Sequence, residues 1–442
     1  MKVSRQFLLF AGAMALIPAA SASMAAVDVD SYRELDQFMN VFERIRAEYV
    51  EPVDDKVLIK GAIDGMLAAL DPHSSYLDAR DFQNMRTQTE GEYGGLGLTV
   101  GMEDGAVKVI APTEDSPADR AGIKAGDFVT HLDGSLIYGG TLDEAVQKMR
   151  GKPGTSIKLT IVRPGRDKPL DVTVTREIIT LKPVKWEVRN DVGVVNINAF
   201  SKNTGEGVRA AMVAIDKATA GKVVGYVIDL RSNPGGLLDQ AIEVADAFLE
   251  RGEVVSQRGR RKTDVERYYA KPGDYAKGKP IVVLVDSGSA SASEIVAGAL
   301  QDHHRGLVMG ERSFGKGSVQ TLLQLSEDSA LRLTTARYYT PSGRSVQEGG
   351  IEPDIKVPQL SDPDYKSRPS FREADLRRHL INEAKVDNSV LEDDGKNDPR
   401  FTATQAELEK KGIKDFQLDY AIKAILKTGT ARLAGGKAGG AR

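Results

Sequence analysis

Residues 281–297 read IVVLVDSGSASASEIVA and decide the fold. The apolar run 281–285 predicts a buried strand, the small residues after it a tight turn, and the segment from Ser291 a helix. A serine there stands at the carboxyl end of a central strand, where α/β proteins place their sites. The Ala292 amide and the positive end of the helix dipole lie beside it, so this turn can stabilise an oxyanion.

The same residues have a second interpretation. Ser291 and Glu294 form the pattern Ser-x-x-Glu of a capping box, which in most proteins only starts a helix. The neighbouring imidazoles do not decide the matter, because His303 and His304 lie 12 and 13 residues along the same helix, about 18 Å away. We expect these two histidines to act only as cations near the end of the helix.

Outward from this stretch, strands alternate with helices over residues 184–357. Such alternation predicts βαβ units on a largely parallel sheet. The predicted strands are Gly193–Ile197, Val223–Leu230, Ile281–Val285 and Leu307–Met309, and the predicted helices are Gly207–Ala218, Leu237–Leu249 and Ser291–Asp302.

A candidate base follows the next strand, in GERSFGKGSVQ at 310–320. Lys316 lies between two glycines, and burial would lower its pKa until the neutral amine could take a serine proton. If the segment is a strand, Lys316 and Gln320 share a face, and the Gln320 carbonyl oxygen can orient the amine. A plain surface turn is the alternative, whereas a phosphate loop is excluded by the spacing.

Backbone donors for an oxyanion are also predicted. The run Val223–Leu230 leads into Arg-Ser-Asn-Pro and then Gly235 and Gly236, which offer backbone amides before the next helix. An ordinary strand-to-helix turn explains these glycines equally well.

The segments outside residues 184–357 have residue patterns that differ from this alternation of strands and helices. Residues 91–177 hold short β runs punctuated by glycine and one amphipathic helix, 141–149, and predict a compact, mostly β module.

The segments at the two ends of the chain are predicted to be helical. Before the β module, apolar residues between Leu35 and Tyr49 form one helical stripe that packs on its own body or on a partner, and a second helix runs to Asp71-Pro72. Beyond Pro358 the chain is charged, with a helix near 406–426 and an end, 431–442, predicted to be disordered.

The first 25 residues resemble a secretory signal. Lys2 and Arg5 precede an apolar stretch, and small residues follow it, which is the order of a signal cleaved near Ala22 or Ala25. An uncleaved anchor is the alternative, but the apolar run falls short of the roughly 20 residues that span a bilayer. We therefore expect export to a bacterial periplasm, with association with the inner membrane left open.

Composition excludes several kinds of site. The 442 residues contain no Cys and five His, which rules out disulfides, thiol nucleophiles and thiolate-bound zinc. Without a His-Glu-x-x-His pair, we expect no metal and no other cofactor. The net charge of −3 gives no sign of a nucleic-acid partner.

Four motifs lie in these segments: SASASEI at 289–295, FGKGSVQ at 314–320, DLRSNPGG at 229–236 and YTPSGRSVQ at 339–347. Together they resemble those of the bacterial carboxyl-terminal processing (tail-specific) proteases, a family of PDZ-containing Ser/Lys peptidases. The resemblance covers about residues 32–358, and it implies that Ser291 is the nucleophile, that Lys316 is the base and that Gln320 positions Lys316. It also implies oxyanion donors near Gly235, Gly236 and Ala292.

Within this family the β module is similar to a PDZ domain. Its binding loop and strand would be Gly94, Gly95, Leu96, Gly97 and Leu98, whose amides hold a free C-terminal carboxylate while the peptide adds as a strand. Ala145 and Met149 on the helix would line an apolar side-chain pocket.

The fold class expected is a crotonase- or ClpP-like α/β catalytic core with an inserted PDZ domain and helical N- and C-terminal segments. The function expected is that of an exported serine endopeptidase that recognises apolar or unstructured C-terminal tails and cleaves through an acyl-enzyme. An inert PDZ-based scaffold is the main alternative, and an adaptor and a homodimer or higher oligomer are left open. The predicted boundaries are 1–25 signal, 26–90 helical segment, 91–177 PDZ domain, 178–358 protease core and 359–442 charged C-terminal region.

Overall fold

The computed structural model describes residues 29–368, 370–384 and 398–438. The predicted signal, 1–25, lies outside these residues. The chain divides into two compact units, one ending at Gly65 and one beginning at Met66. No helix in the described part of the chain is long and apolar enough to cross a membrane.

The first unit is helical, as predicted. Helix α1 spans Val29–Glu48 and α2 spans Asp55–Ala68, the latter extending three residues past the unit boundary. The predicted apolar stripe is solvent-exposed at Leu35 and Phe38 on α1 and at Tyr49, which directly follows this helix.

The predicted PDZ module forms an antiparallel sheet capped by one helix. Helix α5 begins after Thr141, whose hydroxyl accepts the Glu144 N–H while the Glu144 carboxylate accepts the Thr141 N–H, a complete capping box. The strand order is β3-β4-β5-β7-β8, with β6 beside β5, and a separate pair, β2 with β9, joins the two ends of the module. The elements are β2 (Glu92–Gly95), β3 (Leu98–Glu103), β4 (Ala106–Pro112), α4 (Pro117–Arg120), β5 (Phe128–Leu132), β6 (Ser135–Leu136), α5 (Leu142–Met149), β7 (Ser156–Val162), β8 (Leu170–Thr175) and β9 (Glu177–Thr180).

The predicted parallel sheet is confirmed. Its order is β10-β11-β12-β15-β16-β19, and every pairing is parallel except that of β10 with β11. Its elements are β10 (Val184–Arg189), β11 (Val192–Ile197), α6 (Thr204–Ala218), β12 (Gly225–Asp229), α7 (Leu238–Asp246), β15 (Ile281–Val285), α8 (Ala292–Asp302), β16 (Leu307–Gly310) and β19 (Ile355–Lys356).

Both faces of this sheet are covered, which explains the continuous apolar run of β15. Val283 packs with helices α6, α7 and α8, whereas Leu284 points to the opposite face and packs against the C-terminal helix. That helix, α10 (Phe416–Ala438), follows α9 (Gln405–Lys410). It continues to Ala438 and so extends into the segment 431–442, whose disorder stays a prediction.

A second sheet, which the sequence pattern did not predict as a unit, flanks the first. It is antiparallel, in the order β1-β18-β13-β14, with β17 also paired to β18. The register places Gln320 opposite Thr334, and Ser75 opposite Arg332. Residues from distant parts of the chain therefore meet on β18. The remaining elements are β1 (Ser75–Leu77), α3 (Ala79–Glu90), β13 (Gly252–Gly259), β14 (Val265–Ala270), β17 (Ser318–Gln324) and β18 (Ala330–Tyr339).

Candidate active site

Ser291 occupies the turn between β15 and α8, as the sequence predicted. The turn is tied to the neighbouring strand because the Ser289 hydroxyl donates to the Leu230 carbonyl at 2.8 Å and the Ala290 N–H donates to the Asn233 carbonyl at 3.0 Å. Ser291 itself has φ 56° and ψ −111°, and only the surrounding bonds hold a non-glycine residue in such a conformation. This half-buried residue is thereby fixed at the carboxyl edge of the sheet.

The fully buried carboxylate of Glu294 connects Ser291 to the Lys316 segment. One carboxylate oxygen accepts the backbone N–H of Ser291 at 2.7 Å and that of Lys316 at 3.0 Å. The other accepts the Ser313 hydroxyl at 2.5 Å and the Gly315 N–H at 2.7 Å. Burial raises the pKa of Glu294 to about 7, although these four hydrogen bonds act to lower it. The capping interpretation and the catalytic one are thus compatible, since one carboxylate fixes both segments.

Lys316 is half-buried and held by two acceptors. Its Nζ donates to the Gln320 Oε1 and, at 3.2 Å, to the Ser318 carbonyl oxygen. Burial lowers the pKa of Lys316 to about 8. The negative charges of Glu373, Glu294 and Asp71 oppose this shift, while Arg332 adds to it. With that pKa the amine is neutral in about a tenth of the molecules at pH 7 and in about half of them at pH 8.

Among the predicted oxyanion donors, Gly235 does not have the free backbone amide that the sequence predicted. Its N–H donates to the Asn233 side-chain oxygen at 2.9 Å. Its role is steric, because φ is 101° and an added Cβ would lie 2.8 Å from the Ser291 Cβ. Gly236, which is exposed, and Ala292, in the first turn of α8, remain the candidate donors.

The region beyond residue 358, where the resemblance was expected to end, also reaches the site. Glu373 lies in a short 3-10 turn, is fully buried, and meets His73 Nε2 at 2.8 Å and the Gln347 amide at 3.0 Å. Its charge acts on Lys316. Sequence reasoning missed it because an isolated glutamate in a charged segment carries no periodic or motif signal.

A cavity of about 90 Å³ lies between β3 and α5, where the sequence predicts the peptide groove of the PDZ domain. β3 is the edge strand of its sheet, so its outer edge can accept another strand. The prediction that Ala145 lines this groove is corrected. Ala145 is buried in the domain core, and Val146 lines the groove in its place. The lining residues are Tyr93, Gly95, Leu96, Gly97, Leu98, Val100, Val146, Met149 and Arg150.

Comparison with known proteins identifies the family of this chain. Residues 191–357 match the model of peptidase family S41, residues 94–174 that of the PDZ domain, and residues 13–81 that of the activating protease CtpB N-terminal domain. A carboxy-terminal-processing protease of Bartonella bacilliformis is 54% identical over 353 residues, which are 79% of this chain and 81% of that protein. The chain belongs to the carboxy-terminal processing proteases.

Other members of the family are more distant. The carboxy-terminal processing protease CtpB of Bacillus subtilis is 35% identical over 90% of this chain and 84% of its own length. The solved photosystem II D1 C-terminal processing protease is 28% identical, with a TM-score of 0.43 over 79% of this chain and 98% of that chain. As a member of this family, the protein is a serine-type peptidase with a PDZ domain suited to peptide or protein substrates.

Proposed function

We propose that this carboxy-terminal processing protease captures apolar C-terminal tails in its PDZ groove and cleaves peptide bonds through an acyl-enzyme on Ser291, with Lys316 as the base. The observation that carries the proposal is the environment of the Lys316 amine. A neutral amine has two N–H donors and one lone pair, and Gln320 and Ser318 supply acceptors for the two donors. The lone pair is then left for the Ser291 proton.

The chemical steps balance with these groups alone. Lys316 takes the hydroxyl proton as Ser291 Oγ bonds to the carbonyl carbon of the substrate, and the resulting oxyanion is stabilised by the Gly236 and Ala292 amides. The C–N bond then breaks, and the Lys316 ammonium gives its proton to the leaving amine. A water molecule, deprotonated by the same amine, bonds to the acyl carbon. The C–O bond to Ser291 Oγ then breaks, and the Lys316 ammonium returns the proton to Oγ.

Tail recognition rests on the groove. A peptide added along the edge of β3 places its terminal carboxylate at the loop that contains Leu96 and Gly97, while Val146 and Met149 present apolar surface to its last side chain. Free C-termini with apolar residues are therefore the proposed substrates. The adaptor and the oligomer that the sequence left open stay predictions.

Export to the periplasm is part of the same proposal and rests on the order of charged, apolar and small residues in 1–25. Cell fractionation together with the mass of the mature chain tests it. A chain that keeps its first residues and stays in the cytoplasm contradicts export without affecting the chemistry.

The mechanism is tested by Lys316→Arg, which keeps the charge and removes the neutral amine. We expect cleavage of an unstructured test substrate to fall by a factor of about 10²–10⁴, the usual contribution of a general base. The exposed Lys217→Arg on α6 is the matched control. A folded Lys316→Arg enzyme with wild-type activity would disprove the mechanism.

The inert-scaffold alternative is tested separately. A sulfonyl or fluorophosphonate probe should label Ser291 of the wild-type protein and not the Ser291→Ala variant. Peptide binding by a protein whose Ser291 never reacts, in the absence of any cleavage, would favour the scaffold.

A further inference from the structure

A chain of hydrogen bonds leads from the base to a buried carboxylate outside the four motifs. Gln320 Nε2 donates to the Thr334 hydroxyl at 3.2 Å, and the Thr334 hydroxyl donates to Asp71 Oδ1 at 3.1 Å. Asp71 follows α2 and is only 4% exposed. We propose that Asp71 is a positioning residue, which acts through Thr334 and Gln320 to fix the orientation of the amide that binds Lys316; this inference rests on the proposed role of Lys316.

The direction of each bond follows from the chemistry of Asp71. An ionised carboxylate can only accept, so the single hydroxyl proton of Thr334 must point towards Asp71. The Thr334 oxygen is then free only to accept, which requires the amide nitrogen of Gln320 to face it. The carbonyl oxygen of Gln320 is thereby turned towards Lys316.

Hydrogen bonds to its carboxylate keep Asp71 ionised. Its Oδ1 accepts the backbone N–H groups of His73 and Ser74 at 2.8 and 2.9 Å, and its Oδ2 accepts the Ser74 hydroxyl at 2.8 Å. Burial acts to raise the pKa of Asp71, but these hydrogen bonds and that of Thr334 outweigh it and leave the pKa below its usual value. The direction of the chain is therefore constant over the pH range in which Lys316 titrates.

The opposite amide orientation would harm catalysis. If Gln320 turned its NH₂ towards Lys316, an N–H would bond to the lone pair of the neutral amine, and that lone pair is the one required by Ser291. A second Gln320 bond, from Nε2 to the Ser318 hydroxyl at 3.0 Å, does not decide the orientation, because a hydroxyl can donate or accept. Only the hydrogen bond from Thr334 to the Asp71 carboxylate has a fixed direction.

Thr334→Val tests the proposal, because valine keeps the shape of the side chain and leaves the other three hydrogen bonds of Asp71 in place. We expect kcat to fall by about tenfold, the factor for one ordinary hydrogen bond, with KM unchanged. The acid limb of the kcat profile should move to lower pH, because a flipped amide stabilises the neutral amine. The charged groups that also act on Lys316 stay in place: Glu294, Arg332, Glu373 and Asp71.

Matched variants separate positioning from packing. Thr334→Ser restores the hydroxyl and should restore kcat, whereas Thr335→Val, on the exposed face of the same strand, should leave kcat at the wild-type value. A loss that serine does not rescue, or an equal loss in Thr335→Val, would overturn the proposal. So would a Thr334→Val enzyme with wild-type kcat and pH profile.

A double-mutant cycle tests the role of Asp71 itself. Asp71→Asn makes the direction of the chain ambiguous, and we expect kcat to fall by about threefold, less than in Thr334→Val because one amide orientation still works. At a pH above the acid limb, where the missing Asp71 charge no longer changes the fraction of neutral Lys316, kcat of the double variant should equal that of Thr334→Val alone, since the link is already broken. Independent, multiplying effects would overturn the proposal. Failure of the proposed function itself would appear differently, as a wild-type enzyme whose rate does not follow Lys316 titration.

Discussion

The groove of the PDZ domain takes its lining from two nearby stretches, 93–100 and 146–150, whereas the active site takes side chains from places as far apart as Asp71 and Glu373. The groove is made within one module, by an edge strand and the helix that faces it. The active site depends on two sheets and on segments that flank the catalytic body. A change in the groove should therefore have local effects, and a change at the active site should affect several segments together.

Among the changes that test this contrast between the two regions, Glu294→Gln should have the largest effect. An amide has only one acceptor oxygen for four donors, so buried N–H groups lose their partners, and the free energy of unfolding should fall by about 3 kcal/mol. Because Ser291 and Lys316 then lose their common support, kcat should fall by about a hundredfold. Denaturant unfolding and steady-state kinetics measure the two effects.

Glu352→Gln is the control for this variant, since its carboxylate is about half exposed and pairs with Arg312 and Lys356. Its effect on stability should stay below about 1 kcal/mol. Similar losses in both variants would show that the Glu294 carboxylate does not connect the two segments as described.

A smaller effect is expected in the groove. Val146→Asp places a carboxylate against the apolar last side chain of a bound peptide, so affinity should fall by at least about tenfold, or 1.4 kcal/mol. Fluorescence anisotropy with a peptide that ends in an apolar residue measures it. Leu136→Asp, an exposed position of the same domain, should bind like the wild type, and equal binding by all three proteins would place the peptide elsewhere.

The smallest effect on kcat is expected from a change of pH. The folded pKa of Lys316 is lowered to about 8, and the proposed base is its neutral form, so activity should be lost as pH falls through 8. With that pKa, kcat should be about fivefold lower at pH 7 than at pH 8. Peptide binding to the groove should change little over this range, because burial raises the pKa of the groove residue Tyr93 and keeps it neutral. A flat kcat profile would remove the contrast between the two regions.

Prediction from sequence succeeded where the signal is local. The strand-turn-helix around Ser291, the parallel sheet and the α5 helix of the PDZ domain follow from runs of apolar residues, turn residues and capping patterns. The prediction went wrong at Ala145 and at Gly235, because an α-helical face or a glycine-rich turn does not specify which side chain points to the core or which amide is already bonded. Such choices depend on neighbours from other segments.

The sequence by itself determined the family and the modules and predicted Ser291 and Lys316 as a catalytic pair, because motifs and periodicity lie in consecutive residues. Only the tertiary structure decided why the pKa of Lys316 is lowered and how its amine is oriented. Its burial, the Glu294 carboxylate shared with Ser291, the nearby charge of Glu373 and the hydrogen-bond chain from Asp71 all come from residues that the sheets bring together. Desolvation and hydrogen-bond direction are properties of that assembled environment, and no single stretch of sequence contains them.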